Sequence, residues 1–221
     1  MGAASRQREV LEELRRRVHA LERKPARRAG VLPSGRPEVD ALLPGGGFPC
    51  GSVTELIGGP ASGKTELALR ALREAQEGGA LAAFVDGRGE LYPPAALALG
   101  IDPARLLIVR PRAGRPGGEA CRETVEGLWA AEALLASGAF AAVAVDVPLR
   151  SVPSGRAEAM LRRLRSAAEK GGAAALRLGA PRDPSTSAAL RLEIGGPERS
   201  PSVRLVRGGA TARFEREGDA A

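Results

Sequence analysis

Residues 57–66 read I-G-G-P-A-S-G-K-T-E, and their interpretation decides the fold. Gly58 to Thr65 satisfy G-x-x-x-x-G-K-S/T between a strand pattern, S-V-T-E-L-I at 52–57, and a helical pattern that begins at Lys64. The spacing serves phosphate. Glycines let backbone N–H groups converge on anionic oxygens, and the helix N-terminus behind them adds its dipole. Gly58, Gly59, Pro60, Ala61, Ser62, Gly63, Lys64 and Thr65 are therefore the expected nucleotide cradle, with Lys64 on the β and γ phosphates and the Thr65 hydroxyl on Mg²⁺. Such a site also wants an acidic residue at the end of a neighbouring buried strand, to hold the metal through water. F-A-A-V-A-V-D at 140–146 supplies Asp146, so ATP with Mg²⁺ is the expected cofactor.

Outward from the loop, short apolar runs alternate with helical periodicity. Strands are expected at 52–57, 80–86, 105–111, 140–146 and 173–179, helices at 64–77, 93–100, 118–138 and 155–172, and two closing strands at 187–194 and 202–207. This alternation predicts an α/β fold, a mostly parallel sheet with helices on both faces, closed by an antiparallel edge or hairpin. No internal repeat is visible.

The 221 residues suit one core domain. Apolar residues make up 43% and charged residues 27%, an ordinary globular balance. No run of about 18 apolar residues could span a bilayer, and the first residues lack a signal-peptide core, so a cytoplasmic protein without a membrane partner is expected. Cys50 and Cys121 lie far apart and His19 is the single histidine. That excludes a Cys/His zinc cluster, a disulfide framework and a Ser-His-Asp triad. Net charge is +7, and residues 1–30 hold nine basic and four acidic side chains. A basic chain favours acidic partners such as nucleic acid, although an Arg-rich composition with only three lysines also follows from a GC-rich genome.

Residues 5–24 read as an amphipathic helix with Leu11, Leu14, Val18 and Leu21 on one narrow stripe, ended by Pro25. The chain is thus divided into an N-terminal helix and linker, 1–30, and a core domain, 31–221. The stripe suits one partner helix or groove, either on its own core or on another protein.

Residues 32–69 carry a longer resemblance. Ser34-Gly35, Val39-Asp40, Gly45-Gly46-Gly47, Pro49 and Gly51 precede the phosphate loop in the order of the RecA-family signature, and the segments 82–111 and 141–146 follow in family order. The similarity extends over roughly 31–195 and implies a RecA-like fold. Departures from that pattern matter as much. Where RecA-type ATPases carry a glutamate to polarise the attacking water, Arg88 stands; Glu90, two residues on, is the weak remaining candidate for a catalytic base. Ala95 occupies the position of the adenine-stacking tyrosine, with Tyr92 three residues earlier, and L-R-L-G-A-P replaces the segment with the sensing glutamine. The second DNA loop shrinks to about A-P-R-D-P-S-T. Hydrolysis is expected to be weak or absent, since a missing general base forfeits roughly 10²- to 10⁴-fold.

Leu128, Trp129, Glu132, Leu135, Ser137 and Gly138 form L-W-x-x-E-x-x-L-x-S-G, which resembles the ImuA family of RecA-like accessory proteins, and Leu128, Trp129 and Leu135 also read as one helix packing face. The resemblance implies SOS-induced translesion synthesis at the bacterial nucleoid. Its implied partners are RecA, a Y-family polymerase-like protein and an error-prone replicative-type polymerase. Leu11, Leu14, Val18 and Leu21 are then candidates for docking on RecA or for self-association. Arg150, Arg156, Arg162 and Arg163 follow Asp146, where the family's first DNA loop and its helix lie, and are candidates for weak phosphate-backbone contact with DNA. An active DNA-dependent ATPase that remodels or loads protein on DNA is the alternative.

Overall fold

Apolar residues on the central strands alternate between two cores, and that alternation builds three layers. The structure is a computed structural model that describes residues 30–111, 120–150, 152–183, 188–195, 202–207 and 213–215. The amphipathic helix with Leu11, Leu14, Val18 and Leu21 lies outside the described residues. The strands are β1 (Val31–Leu32), β2 (Phe48–Pro49), β3 (Ser52–Ile57), β4 (Leu81–Asp86), β5 (Leu106–Val109), β6 (Phe140–Asp146), β7 (Ala174–Gly179), β8 (Leu190–Gly195), β9 (Ser202–Arg207) and β10 (Arg213–Glu215). The helices are α1 (Pro37–Asp40), α2 (Lys64–Glu77), α3 (Pro93–Ala98), α4 (Ala120–Ser137) and α5 (Ser154–Gly171).

Eight strands form one sheet in the order β10-β9-β8-β3-β7-β6-β4-β5. From β8 to β5 every neighbouring pair is parallel. The expected antiparallel closing edge is present: β9 runs against β8, and β10 against β9. β10 and the small β1–β2 pairing were not expected, because two or three residues carry no readable period.

Strand side chains point alternately to opposite faces. Phe84, Ala144, Leu176 and Leu56 meet Leu67, Leu69 and Leu72 of α2 on one side. Val85, Val143, Val145 and Val53 meet Leu128 and Leu135 of α4, with Leu161 and Leu164 of α5, on the other. Among the described residues no helix is long and apolar enough to cross a membrane.

One row across the sheet is charged. Glu55 on β3 is the register partner of Arg177 on β7 and of Arg191 on β8, and all three are buried. Glu55 accepts from Arg177 Nε at 3.2 Å and from an Arg191 terminal nitrogen at 2.9 Å, and Arg177 also donates to Asp183 at 2.9 Å. Removing Glu55 takes the carboxylate from between Arg177 and Arg191 and leaves Arg177 with Asp183 alone, and breaking a buried ionic row in this way costs about 3–5 kcal/mol. Glu55→Gln should therefore lower the urea unfolding midpoint by an amount equivalent to about 3 kcal/mol or more, measured by circular dichroism.

Candidate functional site

The phosphate loop runs from the end of β3 to the first turn of α2 and is built by close approach. A Cβ on Gly58 would lie 2.3 Å from Ser62 Oγ and 2.6 Å from the Ile194 carbonyl, so only glycine fits. Gly58 N–H donates to the Gly179 carbonyl at 3.1 Å, which ties the loop to the end of β7. Gly63, the N-cap of α2, holds φ +86°, and Ala61 holds φ +54°, a conformation that strains a residue with a Cβ. Ser62 Oγ is buried and has no hydrogen-bond partner among the described residues. Lys64 Nζ donates to the Gly59 carbonyl at 3.0 Å, which folds the ammonium over the loop.

The loop forms part of the wall of a cavity of about 820 Å³, a volume in the range of small-ligand sites. Lys64, Thr65, Asp146 and Glu90 line it with Tyr92 and Ala95, so the residues expected at a nucleotide site converge. The cradle fits phosphate: open backbone at Gly59 and Gly63, a buried hydroxyl without a partner, and a lysine at its edge.

Asp146 ends β6 and is buried. Its Oδ1 accepts from Arg88 Nε at 2.8 Å, an ion pair in which Arg88 is only 22% exposed. Burial pushes the Asp146 carboxyl above its usual range, although Arg88 and Lys64 pull the other way; Glu90 adds to the rise. The carboxylate expected to hold a metal's water shell is thus already covered by a guanidinium. No group of three or more Asp, Glu, His or Cys capable of holding a metal occurs among the described residues. Phosphate fits this arrangement, and a hydrated Mg²⁺ between Thr65 and Asp146 is opposed by Arg88, which already holds Asp146 Oδ1.

The position of Arg88 follows from a neighbour. Asp86, register partner of Asp146 on the adjacent strand, is buried and accepts from Glu90 N–H at 3.0 Å, Leu91 N–H at 3.2 Å and Arg110 Nε at 2.8 Å. These bonds curl residues 87–91 over the strand ends, so that Arg88 meets Asp146 and Glu90 reaches the cavity wall. Asp86 was not anticipated as an organiser; a strand-terminal Asp followed by G-R-G was the available signal.

Arg150, a candidate for DNA contact, lines the same cavity as Lys64. Of the other three arginines, Arg156 is exposed on α5, Arg162 lies 3.9 Å from Glu158, and Arg163 pairs with Glu132 of α4 at 2.7 Å. None of these three lines that cavity. Tyr92, the N-cap of α3 three residues before Ala95, lines the same cavity. The packing face expected of Leu128, Trp129 and Leu135 holds for the two leucines alone; Trp129 is 64% exposed, since one residue turns the helix by about 100°.

Comparison with known proteins agrees with this geometry. The family model for the RecA N-terminal domain matches residues 15–169. Protein RecA of Levilactobacillus brevis is 32% identical over 201 residues, 84% of this chain and 49% of that protein. Protein RecA of Lactobacillus delbrueckii subsp. bulgaricus is 38% identical over 128 residues, 58% of this chain and 36% of that protein. Protein RecA of Corynebacterium urealyticum is 40% identical over 116 residues, 52% and 29% respectively. The chain spans half or less of the length of each of these relatives.

Gly58→Ala should destabilise the protein by about 1–3 kcal/mol through overpacking and weaken ATP binding at least tenfold. Gly59→Ala, whose Cβ would meet nothing within 4 Å, should leave the melting temperature unchanged. Differential scanning fluorimetry with and without ATP checks both.

Proposed function

Because the chain belongs to the RecA family, we propose that it is a nucleotide-holding accessory protein of the ImuA kind, acting in damage-induced translesion synthesis through protein contacts. The observation that carries this reading is a substitution inside an otherwise complete site. The cradle from Gly58 to Thr65 is intact, while Arg88, at the position where a catalytic glutamate is expected, is bonded to Asp146. A guanidinium cannot take a proton from water at neutral pH. Loss of a general base removes about 10²- to 10⁴-fold in rate, so such a site retains nucleotide and turns it over poorly.

Two further features support an accessory role. Asp183, in the shortened second loop, turns inward and accepts from Arg177 and from Ala180 N–H, which pins the loop start to the sheet. The L-W-x-x-E-x-x-L-x-S-G pattern divides its labour: Leu128 and Leu135 fill the core, Glu132 clamps α4 to α5, and Ser137 bonds the helix end through the Leu134 carbonyl. Trp129, the chain's single tryptophan, is left on the surface, and the reading assigns it to contact with a polymerase-like partner. RecA and an error-prone replicative-type polymerase are the other partners in this reading. The alternative, an active DNA-dependent ATPase, draws on Glu90, whose place on the cavity wall leaves one carboxylate near the phosphate site.

Phosphate release separates the two. The accessory reading expects turnover within about tenfold of the Lys64→Ala background, with or without single-stranded DNA. Lys64-dependent turnover stimulated by DNA well beyond that would establish the ATPase. For the N-terminal stripe, Leu14→Asp combined with Val18→Asp should abolish RecA pull-down while leaving the melting temperature of the core unchanged; undiminished capture would remove the stripe from the interface.

A further inference from the structure

The pair Arg88–Asp146 lies where phosphate-loop sites usually keep a divalent cation between a strand-end carboxylate and the phosphates. Asp146 Oδ1 is already bonded to Arg88 Nε at 2.8 Å, both side chains are largely shielded from water, and both line the cavity that holds Lys64 and Thr65. A guanidinium has five N–H donors. Only Nε is engaged with protein among the described residues, which leaves the terminal nitrogens available to a ligand in that cavity. Planar guanidinium groups bind phosphate through paired N–H donors, and a carboxylate behind such a group fixes its orientation.

Charge beside Asp146 points the same way. Lys64, Arg88 and Arg150 line the cavity with Glu66, Glu90 and Asp146, and of these cations Arg88 and Lys64 act on the Asp146 carboxylate. A nucleoside triphosphate brings negative charge that a bound metal normally offsets, and here the protein already supplies positive charge on that side of the cradle. A hydrated Mg²⁺ beside Asp146 would have to share the carboxylate with Arg88, whose Nε holds Oδ1 at 2.8 Å, and would set two further positive charges beside that guanidinium. Like charges in a shielded site repel, so Arg88 disfavours the metal there.

We infer that this site takes nucleoside triphosphate without a divalent cation, the Arg88 guanidinium, anchored on Asp146, contacting the terminal phosphates in the metal's place. The inference rests on the nucleotide reading above and adds the ionic form of the ligand. It also supplies a second physical reason for poor turnover: one side chain removes the base and displaces the metal.

Isothermal titration of the full chain with ATP, in excess EDTA and again in excess Mg²⁺, tests it. The expected dissociation constants agree within about threefold, and a larger gain from Mg²⁺ would overturn the inference. Arg88→Ala should bind at least tenfold more weakly in EDTA and recover part of that loss with Mg²⁺, because Asp146 is then free. Unchanged binding by Arg88→Ala in EDTA would equally overturn it. The comparison of buffers needs no variant, so it decides even where Arg88→Ala fails to fold. Absence of ATP binding in both buffers would remove the nucleotide reading itself and the role of Arg88 with it, a result distinct from binding that appears only with Mg²⁺.

Discussion

The phosphate-loop end of the sheet is held in register by a carboxylate, Glu55, set between two arginines in its interior. Strands β7, β3 and β8 lie side by side with Arg177, Glu55 and Arg191 in register. Three charged groups buried in one row are stable only together, because each loses its hydration and recovers the loss through its neighbours. The row therefore locks the register of three strands whose C-terminal ends make the site: β3 leads into the phosphate loop, β7 ends at Gly179, and β8 places the Ile194 carbonyl against Gly58. A one-residue slip would move Glu55 to the opposite face, among leucines.

A second carboxylate carries that order into chemistry. Asp86 and Asp146 end adjacent strands at the same level, yet they do different work. Asp86 is consumed by structure: two loop N–H groups and Arg110 saturate it, and the bonds curl residues 87–91. Asp146 is left facing the cavity, and the curled loop delivers Arg88 to it. The ion pair at the site is thus a consequence of hydrogen bonds made by a residue outside it. Site chemistry here follows from loop geometry, and loop geometry from one buried acid.

Much of this was legible beforehand where pattern and spacing are local. The helix at 64–77 and the strands at 52–57 and 140–146 occur with the expected bounds, because long periodic segments with glycine or acidic punctuation constrain themselves. The convergence of Gly58–Thr65 with Asp146 followed from a motif whose spacing encodes a turn and a helix start. Side-chain direction was less legible. Trp129 differs from Leu128 by one position and points to solvent, and Arg150 lines the cavity while Arg156, Arg162 and Arg163 do not. Neither is encoded by residue type, since tryptophan suits a core as well as a contact and arginine suits DNA as well as nucleotide.

By itself, the sequence determined the α/β architecture, the phosphate cradle and the absence of a glutamate at position 88, all properties of residue order along one stretch of chain. Only the tertiary structure decided what Arg88 does. Its partner Asp146 is 58 residues away, and the meeting of the two depends on parallel pairing of β4 with β6 and on the curl set by Asp86. A missing base can be seen in a line of letters. A cation bonded to a carboxylate on another strand needs two distant strands brought side by side, because Coulomb attraction acts over ångströms of space and not over positions in a chain.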